Sequence, residues 1–106
     1  MNKANEELIL RTAEFYKALS DYSRFKIVYC LLNGEKRVSE IMVEVNMSQT
    51  AVSYQLKLLR QMRLVKYRRE GQSKYYSIDD QHVQDIINSL ILIKLLESGL
   101  PDGNWY

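Results

Sequence analysis

The sequence predicts a mainly α fold with one small β-hairpin, and three observations carry that expectation. A single Pro and four Gly interrupt 106 residues, too few breaks for the turn-dense pattern of a sandwich or barrel. Leu, Ile, Glu, Lys and Gln are abundant, which favours long helices. One stretch, Val65 to Ile78, changes from helical to alternating periodicity around Gly71. The hydrophobic fraction of 46% and charged fraction of 26% are those of a globular chain rather than a disordered one. The length fits one domain, read here as residues 1–100 with a tail at 101–106.

Each element follows from spacing and capping. Leu8, Thr12, Phe15, Tyr16 and Leu19 recur at i, i+4, i+7, i+8 and i+11, predicting an amphipathic helix from about Glu6 to Ala18. Ser20 or Asp21 is placed to cap a second helix that carries Phe25, Ile27, Val28, Leu31 and Leu32 and stops at Asn33-Gly34. Ser39 is placed to cap a short third helix, with Ile41, Met42 and Val45 apolar, ending at Asn46. Ser48 is placed to cap a fourth, from Gln49 to about Gln61, with Val52, Leu56 and Leu59 on one stripe. The alternating runs on either side of Glu70-Gly71-Gln72-Ser73 read as a hairpin. Asp79 or Asp80 is placed to cap a fifth helix from about Gln81 to Ser98, closed by Gly99 and Pro101.

Two short helices joined by about three residues, the second opening with small polar side chains, form a helix-turn-helix pattern. A hairpin directly after the second helix adds a wing. The fold class expected is therefore a five-helix winged helix-turn-helix. Apolar residues of the fifth helix, from Val83 to Leu96, surround most of its circumference. One small core covers a single side, so the other side predicts a homodimer built through the first and last helices.

Charge is distributed unevenly. Residues 1–47 balance seven bases against seven acids. Residues 48–78 hold Lys57, Arg60, Arg63, Lys66, Arg68, Arg69 and Lys74 against Glu70 alone, a net +6, and the remainder is −4. A basic middle third is the footprint of a surface that neutralises phosphates. Within it, Gln49, Thr50 and Ser53 stand off the apolar stripe at the helix end that is directed at base edges, and Gln55 is a further reader unless it turns inward. Ser48, Tyr54 and Lys57 complete the DNA-facing set on this helix, Ser48 through its cap and the free N–H groups beside it. Arg68, Arg69, Gln72, Ser73 and Lys74 are the wing residues expected to touch backbone or minor groove. Tyr67 and Tyr76 read as packing residues. The partner expected is duplex DNA carrying an imperfect palindrome; the rival reading is a winged-helix module that docks on protein.

Other classes are poorly supplied. One His and one Cys, with no Gly-rich phosphate loop and no nucleophile beside an evident base, argue against an enzyme. Cys30 alone forbids an intrachain disulfide and reads as a small buried hydrophobe. The longest apolar stretch, Ser89 to Leu96, is far short of the about 20 residues that span a bilayer. The acid-bearing amino terminus does not read as a signal peptide, so no membrane partner and a cytoplasmic location are expected.

The run from Ala18-Leu19-Ser20-Asp21 and Arg24, through Ser48-Gln49-Thr50-Ala51-Val52-Ser53-Tyr54-Gln55-Leu56-Lys57-Leu58-Leu59, to Arg69-Glu70-Gly71-Gln72-Ser73 and Tyr76-Ser77-Ile78 resembles the ArsR/SmtB family of dimeric bacterial repressors. The likeness covers about Glu14 to Leu90 and implies a repressor that leaves its operator when an inducer, often a transition metal, binds. One recurrent family site uses an Asp-x-His pair on the last helix with ligands eleven and fourteen residues beyond the His. Asp80 and His82 match the pair and make a candidate site for a divalent ion such as zinc, while Ile93 and Leu96 occupy the other positions and ligate nothing. A Cys-x-Cys site on the third helix has no counterpart in Ser39 to Val45. The plainer reading of Asp80 and its neighbours is a capped helix end whose acids favour the positive dipole terminus.

Overall fold

A computed structural model describes residues 1–97 as α1 (Lys3–Leu19), α2 (Tyr22–Leu31), α3 (Val38–Val45), α4 (Gln49–Gln61), β1 (Val65–Glu70), β2 (Ser73–Ile78) and α5 (Gln81–Glu97). The expected closure of α5 at Gly99 and Pro101, the domain limit at residue 100 and the tail lie outside the described residues.

The core sits where α2, α3, α4 and the hairpin meet. Ile27, Val28, Ile41, Val52, Leu59, Leu64 and Ile87 are wholly buried. Each such side chain stabilises the fold by about 1.5–3 kcal/mol relative to exposure. Arg24 locks the first connection: Asp21 caps α2 by accepting from Arg24 N at 3.0 Å, while Arg24 Nε donates to the Ala18 carbonyl at 2.8 Å. Asp21 is thus the cap of the two candidates, and Ser20 instead donates back to the Lys17 carbonyl at 2.7 Å, closing α1.

Two starts differ from the sequence reading. Helix α1 begins at Lys3 because Asn2 accepts from Asn5 N at 2.8 Å, a cap ahead of the apolar spacing that marked Glu6. Helix α3 begins at Val38, not after Ser39. The Glu40 carboxylate reaches back to accept from Arg37 N at 2.8 Å, which lets Val38 pack on the core while Ser39 stays exposed in the first turn. Helix α3 ends on Asn46 in the left-handed conformation, φ 54°. Beyond α4 the chain reverses at Arg63, also left-handed at φ 59°, with Leu64 N donating to the Leu59 carbonyl at 2.9 Å.

The hairpin is antiparallel in the register Val65 to Ile78, Tyr67 to Tyr76 and Glu70 to Ser73, turning through Gly71 at φ 61°. It is not isolated. Lys36 N donates to the Tyr76 carbonyl at 2.9 Å and Tyr76 N to the Lys36 carbonyl at 2.8 Å, so the α2–α3 connection adds a one-residue third strand on the outer edge of β2. Tyr67 and Tyr76 pack ring on ring, with centroids 5.4 Å apart.

The first and last helices stand partly apart from this core. Only Ala18 and Leu19 of α1 are buried, and Leu8, Thr12 and Tyr16 of the predicted stripe are exposed. Helix α5 buries Val83 and Ile87 while Leu92, Ile93 and Leu96 face outward. The radius of gyration, 15.6 Å, exceeds the about 13 Å of a compact domain this size, as such projecting helices require. Among the described residues no helix is long and apolar enough to cross a membrane.

Cys30 is 4% exposed on α2. Burial, together with a hydrogen bond to Glu44 and its charge, pushes the thiol up to about 12, against a smaller opposing effect of Lys36. With the folded value above the unfolded one, this group's contribution is complete below about pH 9 and is lost as pH rises toward 12. Iodoacetamide at pH 8 is therefore expected to label Cys30 slowly in the folded protein and rapidly in guanidinium; equal rates would contradict a buried, protonated thiol.

Candidate nucleic-acid interface

Burying Val52, Leu56 and Leu59, none more than 1% exposed, leaves the opposite side of α4 to solvent. Gln49, Thr50, Ser53, Tyr54 and Lys57 are all exposed there. Ser48 is the cap: its hydroxyl accepts from Ala51 N at 3.1 Å, and the remaining N–H groups of the first turn point out along the helix axis. Gln55 is half-buried and turns toward α2, its Oε1 accepting from Arg24 Nη1 at 3.5 Å. The inward alternative weighed for Gln55 is the one realised.

On the hairpin, Arg69 and Gln72 are exposed and Ser73 and Lys74 half-buried. Arg68 is engaged differently. It crosses β2 over the Tyr75 ring, 4.6 Å from the centroid, to donate from Nε to Glu35 at 3.0 Å, and from Nη1 to Glu70 at 2.7 Å. The hydrogen bonds from Arg68 hold the Glu35 carboxyl below its usual range. With two carboxylates on it, Arg68 offers a phosphate little net charge. Sequence reading missed this because Glu35 lies 33 residues away. Six of the seven cations between residues 48 and 78 have no carboxylate partner among the described residues; Arg68 is the exception.

Within the one described chain the Asp80–His82 pair does not complete a metal site. Asp80 Oδ1 caps α5 by accepting from Val83 N at 3.0 Å, and His82 Nδ1 lies 3.7 Å away on a side chain 94% exposed. Ile93 and Leu96 have no donor atoms, and among the described residues no three His, Cys, Asp or Glu side chains gather as a ligand set. Two donors from one chain fill only half of a tetrahedral zinc shell.

An exposed, cationic second helix of a helix-turn-helix, followed by a basic hairpin, defines a winged-helix nucleic-acid-binding protein. Residues 21–67 match the family model described as "Bacterial regulatory protein, arsR family". A cadmium resistance transcriptional regulatory protein CadC homolog of Staphylococcus aureus is 37% identical over 97 residues, covering 87% of this chain and 80% of that one. A transcriptional repressor SmtB homolog of Synechocystis is 45% identical over 74 residues, covering 70% of this chain but 56% of the longer relative. Among solved structures, a homodimeric winged helix-turn-helix DNA-binding domain from Mycobacterium bovis, a possible ArsR-family regulator, superposes with a TM-score of 0.82 at 29% identity, covering 89% of this chain and 87% of that one. NolR from Sinorhizobium fredii gives 0.80 at 31%, covering 88% and 93%. The chain belongs to the arsR family of bacterial transcriptional regulators, and is not an enzyme.

Zinc titration followed by calorimetry is expected to give the same isotherm for the unaltered protein and for His82→Ala. A tighter site lost in the variant would contradict the reading of Asp80 as a cap alone.

Proposed function

We propose that the protein is a homodimeric repressor that binds an imperfect palindrome in duplex DNA through α4 and the hairpin and is released by an effector. The observation that carries this is the exposed face of α4, polar at its N-terminal end and flanked by cations with no carboxylate partner among the described residues. Gln49, Thr50 and Ser53 read base edges in the major groove, where amide and hydroxyl groups match donor and acceptor patterns. Ser48 with the first-turn N–H groups, and Lys57, hold backbone phosphates. Tyr54 lies against the groove wall. Arg69, Gln72, Ser73 and Lys74 place the wing on the backbone or minor groove. Gln55 and Arg68 support the surface rather than touch DNA, since both are bonded within the protein.

The second copy covers α1 and α5. Their outward apolar residues, Leu8, Ile9, Ile86, Leu92 and Leu96 among them, are too many to leave in water, and the Mycobacterium bovis relative is described as homodimeric. A two-fold axis there sets two copies of α4 in successive major grooves, about 34–36 Å apart. Because both helices of that interface join the DNA-binding core through short connections, a change in their packing alters the spacing. Each tenfold loss of operator affinity requires about 1.4 kcal/mol of preference by the effector for the released state. The Asp80–His82 pair is not where a zinc effector acts in this reading.

Gel shifts on duplexes selected from a random library test it. Gln49→Ala with Ser53→Ala is expected to lose discrimination between selected and random DNA, about 1–3 kcal/mol for each good base contact removed. Equal weakening on both probes would reassign the readers. No salt-sensitive DNA binding by the unaltered protein would favour docking on protein instead.

A further inference from the structure

Two features of the basic region have no part in the function just proposed: Arg60 and the ring of Tyr67. Arg60 lies on α4 seven residues beyond Ser53, which at about 100° per residue returns it to within roughly 20° of the same stripe, two turns further along. It therefore ends the outward face that Gln49 and Ser53 begin, at the point where a helix lying in a groove meets the sugar-phosphate backbone.

The hairpin meets Arg60 there. In the observed register Tyr67 is opposite Tyr76 and Arg69 opposite Lys74, so these four share the hairpin face that carries buried Val65 and Ile78. Arg60 Cζ stands 4.8 Å from the Tyr67 ring centroid, Lys74 Nζ 4.7 Å and Arg69 Cζ 5.9 Å. Three positive charges from three elements thus gather within about one Debye length, ~10 Å at moderate salt. None has a carboxylate partner among the described residues. One aromatic ring has two faces, so it cannot satisfy three mutually repelling cations. The phenol registers the same field: Lys74 first, then Arg60 and Arg69, hold Tyr67 below the usual tyrosine range. On the opposite face, by contrast, Arg68 is matched by Glu35 and Glu70.

An anion bridging the three cations relieves their repulsion. We infer that Arg60, Arg69 and Lys74, set around the Tyr67 ring, form a phosphate cradle that receives one backbone phosphodiester of duplex DNA at the far end of α4. The inference rests on the proposed DNA-binding function and adds the residue that joins helix to wing at the backbone. Tyr67 acts as the platform that gathers the cations, and Arg60 ties the position of the wing to that of the base readers.

Binding to a short random-sequence duplex, measured by fluorescence anisotropy over a range of potassium chloride, tests it. Arg60→Gln and Lys74→Gln, each checked for an unchanged thermal unfolding midpoint, are each expected to reduce the slope of log Kd against log salt, and together to reduce it by up to about 0.9, the value of the one phosphate contact they share. Lys66→Gln, on the other face of β1, is expected to leave the slope unchanged. Native slopes in both cradle variants, or an equal loss in Lys66→Gln, would overturn the cradle while leaving the DNA reading intact. Absence of salt-dependent binding by the unaltered protein would overturn both. A parallel titration with inorganic phosphate separates the sources of the anion: Tyr67 resonances that shift in the unaltered protein but not in Arg60→Gln, with DNA slopes unaffected, would assign the site to a free anion and overturn the proposal.

Discussion

Val52, Leu56 and Leu59 occupy one side of α4 and are sealed against α2, α3 and the start of β1. Rotating α4 to bury any other side would expose three large aliphatic side chains, each worth about 1.5–3 kcal/mol. It would also bury Lys57 or Gln49 without partners. That cost fixes which face looks outward. The polar residues along that face take their place from the apolar ones behind them, so the surface assigned to DNA is a consequence of core packing before it is a set of polar contacts.

The hairpin is held to the same core by different forces. The paired backbone bonds between Lys36 and Tyr76 make the α2–α3 connection part of the sheet, and Asp79 N donates to the Leu64 carbonyl at 3.0 Å to close its base. Arg68 adds a charged strap to Glu35 across β2. Such an exposed pair contributes little to stability. Its larger effect is on charge: it neutralises one cation of the outer face, whereas Lys57 and Arg60 on α4 and Arg69 and Lys74 on the inner face of the hairpin have no carboxylate partner among the described residues. Wing and recognition helix consequently present their positive charge on adjoining surfaces.

Much of this was legible in the sequence, and the misses have physical reasons. The Val52, Leu56 and Leu59 stripe, the Ser48 cap and the hairpin turn at Gly71 are local signals, and local signals survive folding. The spacing starts α3 after Ser39, whereas the chain starts it at Val38, where the Glu40 carboxylate accepts from Arg37 N without a hydroxyl at the cap position. The stripe on α1 was visible, but periodicity reports that a face is apolar and not what covers it; Leu8 and Tyr16 find no cover within the described chain. Composition marks Arg68 as a phosphate contact and cannot reveal its bond to a carboxylate 33 residues distant. Arg60 went unassigned although its spacing of seven from Ser53 was countable, because its meeting with Tyr67 depends on how the hairpin packs on α4. Asp80 and His82 match a ligand pattern, and the same aspartate also caps α5 through Oδ1, a second role that the spacing alone does not separate from the first.

The account as a whole requires one continuous face running from the N-terminus of α4 to the hairpin tip. Backbone amide shifts of the isotope-labelled protein, followed as a selected duplex is added, test it most directly. Large changes are predicted at residues 48–57, at Arg60 and from Arg69 to Lys74, with the outer face of α3 around Val43 unmoved. Changes centred on α3, or spread evenly over the chain, would contradict it.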